Sequence, residues 1–472
     1  MKKILLLAFV FCVTNHIFAQ QLRILSTTAT ERWKEIKPVR EKQFQPDETI
    51  VVYPDSSLQH VDGFGGTFNE MGWEALQALS PKQQQEVMES LFGEEGARLP
   101  MARTPIGASD FALSYYSYCD VKEDFTMRDF NISRDRYILI PYIREALKIR
   151  PDLKIWASPW TPPAWMKINE HYTLQGGDIA GRTGGNEMPS RKNVMGNMTA
   201  FNMQRGYLEA YALYFSKYIQ AYQKEGINIW AIMPQNEIAW SPNWPCCTWR
   251  AEDLAIFIGK YLGPKFEDDK LNTEIWLGTI NYPNPDYVRT FLKNKEAGKY
   301  IKGIGFQWTG REAIPAIHKE YPEYGYMQTE NICGEHENDW SSLERTWEAV
   351  THYFRNGAHS YMYWNMILDE TGSSAWGWPQ NSMVIIDKNT KKVTYTDEYY
   401  VMKHLSHFVQ PQARVLKTSD MSRYLAFRTN EKELVVVFYN PEEKKNISVK
   451  IQDASLQLQI PAKSINTVLV HL

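Results

Sequence analysis

Cysteine is scarce in this chain: five among 472 residues, and none arranged as a C-x-x-C pair. That excludes a disulfide-built scaffold and a cysteine-based zinc ribbon. Charge is nearly balanced, with 52 basic against 55 acidic side chains and a net of −3, so no basic surplus points to nucleic acid. Long hydrophobic runs are missing too. The stretch near the start, Ile4–Val13, is half the ~20 residues that a membrane-spanning helix needs. With Lys2 and Lys3 before it and Ile17-Phe18-Ala19 after it, this stretch reads as an export leader over residues 1–19. A secreted or periplasmic protein without stable membrane insertion is expected. No H-E-x-x-H, G-x-S-x-G, complete G-x-G-x-x-G or phosphate-loop pattern occurs, and neither metal nor cofactor is expected.

Aromatic residues are abundant instead: 16 Trp, 27 Tyr and 20 Phe. A large core would use such rings, and so would a site that stacks sugars on their faces. Placement decides between the two.

From about Val61 to His404 short apolar runs alternate with amphipathic segments. The runs are Gly63–Gly66, Ala102–Gly107, Lys154–Trp160, Ile229–Glu237, Glu274–Ile280, Gly303–Trp308, Gly325–Glu330 and Ser360–Met366. Helical stretches lie between them, for example Pro81–Leu91 behind the N-cap Ser80. Eight strands alternating with helices predict a (β/α)8 TIM barrel in the α/β class, with a doubly wound open sheet as the alternative. After His407 the texture changes to short alternating strands, Arg414–Lys417, Tyr424–Arg428, Leu434–Tyr439, Ile447–Ile451 and Thr467–Leu472. These predict a β-sandwich that Leu22–Leu25 and Thr49–Val52 join from the other end of the chain. The expected division is 1–19 leader, 20–58 N-terminal strands, 59–408 barrel and 409–472 side β-sandwich. Residues 168–199, with Gly-Gly pairs at 176–177 and 184–185, form the longest irregular stretch and are expected to shape access to the barrel mouth.

Two carboxylates stand where apolar runs give way to polar loops. Glu237 closes Met233-Pro234-Gln235-Asn236-Glu237 at the end of the fourth strand, and Glu330 closes Met327-Gln328-Thr329-Glu330 in the seventh. Barrel active sites lie on that C-terminal rim. A facing pair of acids suits glycoside hydrolysis, in which one protonates the leaving oxygen and the other attacks the anomeric carbon. Asn236 is placed to donate to the sugar hydroxyl beside that carbon. Arg103, ending the second strand, binds substrate or neutralises the carboxylates.

These motifs resemble glycoside hydrolase family 30, which holds glucosylceramidases and β-1,6-glucanases. The resemblance is carried by Asp62-Gly63-Phe64-Gly65-Gly66, the run Ser158-Pro159-Trp160-Thr161-Pro162-Pro163-Ala164-Trp165, Asn236-Glu237, Thr329-Glu330 and Tyr363-Trp364-Asn365. Pro461–Thr467 resembles the close of the family's side β-domain. It implies retaining hydrolysis of β-glucosidic bonds, with Glu237 as acid/base and Glu330 as nucleophile. Asn236, Trp160, Trp308 and Trp364 become substrate-binding positions. Glu70 matches the aspartate that holds sugar hydroxyls in the glucosylceramidases, Gln307 stands where they carry histidine, and Ile238-Ala239-Trp240 lacks their proline. The partner is then a β-linked glucoside or glucan, with an endo-β-1,6-glucanase as the alternative activity. A non-catalytic glycan-binding protein is the alternative of another class. Cys246 or Cys247 could bridge Cys333, or all three could be buried thiols. Ten tryptophans, at 156, 160, 165, 240, 244, 249, 308, 364, 376 and 378, fall in or after strands three, four, six and eight and are expected to wall the sugar site.

Overall fold

The computed structural model describes residues 22–39, 45–176 and 188–471. The leader expected over residues 1–19 and the Gly pair at 184–185 lie outside these described residues, as does Gly177 of the other pair.

Three strands precede the barrel: β1 (Leu22–Thr27), β2 (Lys34–Ile36) and β3 (Glu48–His60). The barrel strands are β4 (Gly63–Thr67), β5 (Met101–Pro105), β6 (Lys154–Ser158), β7 (Ile229–Ile232), β8 (Glu274–Ile280), β9 (Ile301–Gln307), β10 (Gly325–Glu330) and β11 (Ser360–Asn365). All pair in parallel, and β11 returns to β4 through Ser360 opposite Gly63, so the sheet closes. Closure disposes of the open-sheet alternative. The helix Pro81–Phe92 starts in a full capping box, Ser80 accepting from the Gln83 backbone while the Gln83 side chain accepts from the Ser80 N–H.

The fourth strand is shorter than the sequence pattern implies. It stops at Ile232, and Glu237 stands beyond it with φ 52°. Pro234 offers no ladder N–H, and a left-handed residue cannot continue a strand. The segment still follows its neighbour, because Met233 N–H donates to Ala157 (2.9 Å) and Asn236 N–H to Pro159 (2.7 Å).

Below the mouth, the barrel interior is filled by Met101, Trp156, Met233, Trp276, Met327 and Met362. Gly303 makes room for the Trp276 ring: a Cβ there would sit 2.4 Å from it. Such close packing leaves a solid floor rather than a channel.

Beyond the barrel come a small sheet of β12 (Ile367–Asp369), β13 (Val384–Ile386) and β14 (Val393–Tyr395), and the helix Asp397–Ser406. The small sheet was not foreseen from sequence. The C-terminal strands are β15 (Arg414–Thr418), β16 (Tyr424–Asn430), β17 (Glu433–Asn440), β18 (Lys445–Ile451), β19 (Ala454–Ile460) and β20 (Ser464–His471). With β1–β3 they make nine strands in the order β19-β18-β3-β15-β16-β17-β20-β1-β2. Strands from both ends of this order share one apolar core, including Ile24, Val52, Val436 and Val449, so the sheet folds over on itself. His404 fastens the last helix to it, bonded to Thr467 (2.8 Å) and Thr27 (2.9 Å).

Candidate active site

A cavity of about 540 Å³ opens at the C-terminal rim. Glu237 and Glu330 both line it, with Asp110, Trp240, Trp308 and Trp378 around them.

Glu330 is the more tightly held acid. One oxygen accepts from Arg103 Nη1 (2.7 Å), the other from Trp308 Nε1 (3.0 Å), and the residue is almost wholly buried. Glu237 is half-buried and its left-handed backbone is braced by its own N–H donating to Thr279 Oγ1 at 2.9 Å. Holding a non-glycine residue there costs about 1–3 kcal/mol, so the surrounding contacts must over-determine it. Burial, reinforced by the Glu330 charge, pushes the Glu237 carboxyl up to about 8, against a hydrogen bond from Gln307 and the Arg103 charge. The two acids are therefore unlike: one paired with a cation, one biased to keep its proton.

Arg103 organises the floor. It has no exposed surface and donates to Glu330, to Ser158 Oγ (2.8 Å) and to Asn236 Oδ1 (2.6 Å). Its guanidinium lies 4.8, 4.4 and 5.4 Å from the ring centroids of Trp156, Trp160 and Trp364. Rings on the faces of a guanidinium stabilise it when water is excluded. It does not line the cavity, which favours the neutralising role over substrate contact.

Asn236 Oδ1 accepts from Arg103, from Thr279 Oγ1 (3.0 Å) and from Gln307 Nε2 (3.3 Å). With three donors on the oxygen, the amide NH2 is the end left over; Asn236 itself is 2% exposed and is not among the residues that line the cavity. Gln307 is fixed in turn by Thr329 Oγ1, which donates to its Oε1 at 2.9 Å.

Several expected positions lie elsewhere. Glu70 is buried under the rim, its oxygens taken by Arg134 Nε (2.7 Å), Arg134 Nη2 (2.6 Å) and the Leu113 N–H (2.7 Å). Its oxygens are partnered within the protein and it is not among the residues that line the cavity, so it ties down the loop after β5. Trp160 and Trp364 stack on each other at 5.1 Å, are buried, and act on the site through Arg103 rather than lining it. Of the ten tryptophans expected as walls, Trp240, Trp244, Trp308 and Trp378 line the cavity. The others pack inward: Trp156 fills the barrel, Trp165 meets Phe125 and Tyr207, Trp249 stacks on Phe201, and Trp376 supports Trp378 and Tyr115. An indole is large enough to serve as floor as well as wall, and strand-end position alone does not separate these uses. Cys119, Cys246, Cys247 and Cys333 are all free and buried, so no bridge joins the two rim loops.

Asp110 was missed. It lines the cavity, is 8% exposed, and has one oxygen without any protein partner. Burial first, then the charges of Glu330 and Glu237, raise its carboxyl well above the ordinary range. A signal was present: Ser109-Asp110 follows the second strand as polar residues at a strand end, as Glu237 and Glu330 do.

The family model of the glycosyl hydrolase family 30 TIM-barrel domain matches residues 61–409, and that of the family's beta sandwich domain matches 414–468. The chain belongs to glycosyl hydrolase family 30. This family 30 chain is 26% identical over 439 residues to a putative glucosylceramidase 3 of Caenorhabditis elegans, covering 85% of this chain and 79% of that one. It is 28% identical over 388 residues to an endo-1,6-β-D-glucanase of Aspergillus fumigatus, covering 78% and 74%. Among solved structures it matches an endo-β-1,6-glucanase with a TM-score of 0.81 at 25% identity, covering 96% of this chain and 99% of the other. The family 30 barrel and side sandwich account for the fold, and the protein is a glycoside hydrolase. Among the described residues no helix is long and apolar enough to cross a membrane.

Proposed function

We propose that this enzyme is a retaining β-glycosidase that cleaves β-glucosidic bonds by double displacement. The observation that carries the reading is the pair of unlike carboxylates, Glu237 and Glu330, lining one cavity at the ends of the fourth and seventh strand units.

Glu330 attacks the anomeric carbon while Glu237 gives its proton to the departing glycosidic oxygen. The bond to the leaving group breaks and a glycosyl ester with Glu330 forms. Esterification removes the Glu330 charge, so the push on Glu237 weakens and it serves as base for the incoming water. Water then attacks the anomeric carbon, the ester breaks, and the sugar leaves with its original configuration. A separation of about 5–5.5 Å between the two carboxyls accompanies this chemistry. Asn236 donates its NH2 to the neighbouring hydroxyl, Asp110 hydrogen-bonds a hydroxyl further round the ring, and Trp308 walls the site while fixing Glu330. The leader over residues 1–19 fits a secreted or periplasmic enzyme meeting its substrate outside the cytoplasm.

The homologues' names support two substrates, glucosylceramide-like glucosides and β-1,6-glucan. The test is a panel of aryl β-glycosides and β-glucans with the first-formed anomer read by NMR. Initial β-anomer is expected, and initial α-anomer overturns the retaining reading.

A further inference from the structure

Apart from the catalytic cavity, a small one of about 160 Å³ lies behind the segment that follows Glu330, and Ile332 lines both. Three further elements build its wall: the turn Trp308–Glu312 gives Arg311, the helix Trp340–Arg355 gives Arg345 and Glu348, and β11 gives Tyr361. The same turn carries the Trp308 indole that donates to Glu330.

Two groups in this wall are short of partners. Tyr361 has no exposed surface, yet its hydroxyl meets no protein donor or acceptor. A buried hydroxyl left unpaired is costly and uncommon. Burial, above all, raises it well beyond the ordinary phenol range, so it stays a neutral O–H donor. Arg311 is half-buried; among the described residues it forms no ion pair and its guanidinium donates to no protein group. Arg345 is engaged only in part, donating to Ser341 Oγ (3.1 Å) and Ser342 Oγ (2.9 Å) with Glu337 at 3.6 Å. A guanidinium has five N–H donors, so some remain. The Thr346 hydroxyl, also in the lining, is spent on Glu398 Oε1 at 3.0 Å. Glu348 is the acid of the lining; it is exposed and pairs with neither arginine.

The wall therefore sets two guanidiniums and an unpaired O–H donor against one carboxylate. Guanidinium forks match the oxygens of phosphate or sulfate, whereas a cation would meet two like charges. The volume is well below the roughly 300–1,000 Å³ of pockets that take larger organic ligands, which argues against a sugar unit or a lipid tail.

We infer that this cavity is a binding site for a small inorganic oxyanion, phosphate or sulfate, held between Arg311 and Arg345 with the Tyr361 hydroxyl as third donor. Bound there, the ion ties the Trp308 turn to the helix Trp340–Arg355 from outside the catalytic cavity. The inference does not depend on which sugar the enzyme cleaves.

The test is titration calorimetry of the whole enzyme with sodium phosphate, sodium sulfate and sodium chloride at matched ionic strength. Phosphate and sulfate should bind saturably, one per chain, and chloride should give no comparable heat. Arg311→Gln should weaken phosphate at least about tenfold, the scale of a charge-assisted bond, and Tyr361→Phe about fivefold, the scale of a neutral one. Without phosphate, Tyr361→Phe should melt no lower than wild type, because its hydroxyl has no protein bond to lose; a lower melt would overturn the assignment of that hydroxyl to the ion. Absence of saturable binding, an equal response to all three salts, or wild-type phosphate affinity in both variants overturns the inference. So does phosphate inhibition that competes with an aryl β-glucoside and persists in Arg311→Gln, which puts the ion in the catalytic cavity and leaves the glycosidase reading standing.

Discussion

Replacing Asn236 by alanine separates a substrate contact from a scaffold role. Its Oδ1 holds Arg103, Thr279 and Gln307, so the change leaves three buried donors short of an acceptor. Each such loss costs about 1–3 kcal/mol, and that damage is the same whatever substrate is offered. The NH2 end contributes only when a hydroxyl faces it. A well-placed donor of this kind contributes about 2.7–4 kcal/mol in the transition state, or 10²–10³ in rate. The assay compares an aryl β-glucoside with its 2-deoxy counterpart, in wild type and Asn236→Ala. The glucoside should lose about 10²–10³ more in kcat/KM than the 2-deoxy substrate, because the common structural cost cancels in the ratio. Equal losses on both would refute the assigned contact and make Asn236 a support for Arg103 alone.

Activity should depend on Glu237 keeping its proton, so kcat/KM should fall as pH rises through about 8 and not near the ordinary carboxylate range. A pH profile checks this, and a fall already complete by pH 6 would contradict it. Glu330→Gln should abolish turnover while leaving the circular dichroism spectrum unchanged, since it keeps the side-chain size and one acceptor oxygen but removes the proposed nucleophile; a variant with the wild-type rate would overturn the assignment. Glu70→Gln should cost about 1–3 kcal/mol of stability, Arg134 being partly exposed, with KM changed less than about twofold. A denaturant melt and a kinetic comparison read the two effects. A KM increase of tenfold with unchanged stability would restore Glu70 to the sugar site. Finally, the thiols of Cys119, Cys246, Cys247 and Cys333 should resist a thiol reagent in the native protein and react after unfolding.

The barrel was legible because its signals are redundant. Eight apolar runs alternating with amphipathic segments leave few arrangements, and small errors at single strand ends do not change the answer. The joining of Leu22–Thr27 to the C-terminal sheet was legible for a related reason, since a lone strand must find an edge. The three-stranded insertion β12–β14 was not, because three-residue strands carry too little alternation to register. In the site, the meeting of Glu237 and Glu330 at one cavity could be read from position alone. Glu70 could not: a carboxylate near a rim looks the same in sequence whether it faces a cavity or an arginine. Arg134, 64 residues away, decides its fate.

The tryptophans show why the aromatic excess resisted a single reading. Arg103 must be cationic to hold Glu330, yet it lies where no water can solvate it. An isolated buried cation would be costly, and the rings of Trp156, Trp160 and Trp364 lie against it, leaving its N–H groups for Glu330, Asn236 and Ser158. Glu330 and the amide beside Glu237 thus take their orientation from one side chain whose own position is set by indoles. Those indoles shape the chemistry without lining the cavity, and Trp240, Trp244, Trp308 and Trp378 meet the ligand space directly. The same residue type is abundant because the site needs it twice, once to make a charge tolerable in the floor and once to offer flat faces at the mouth.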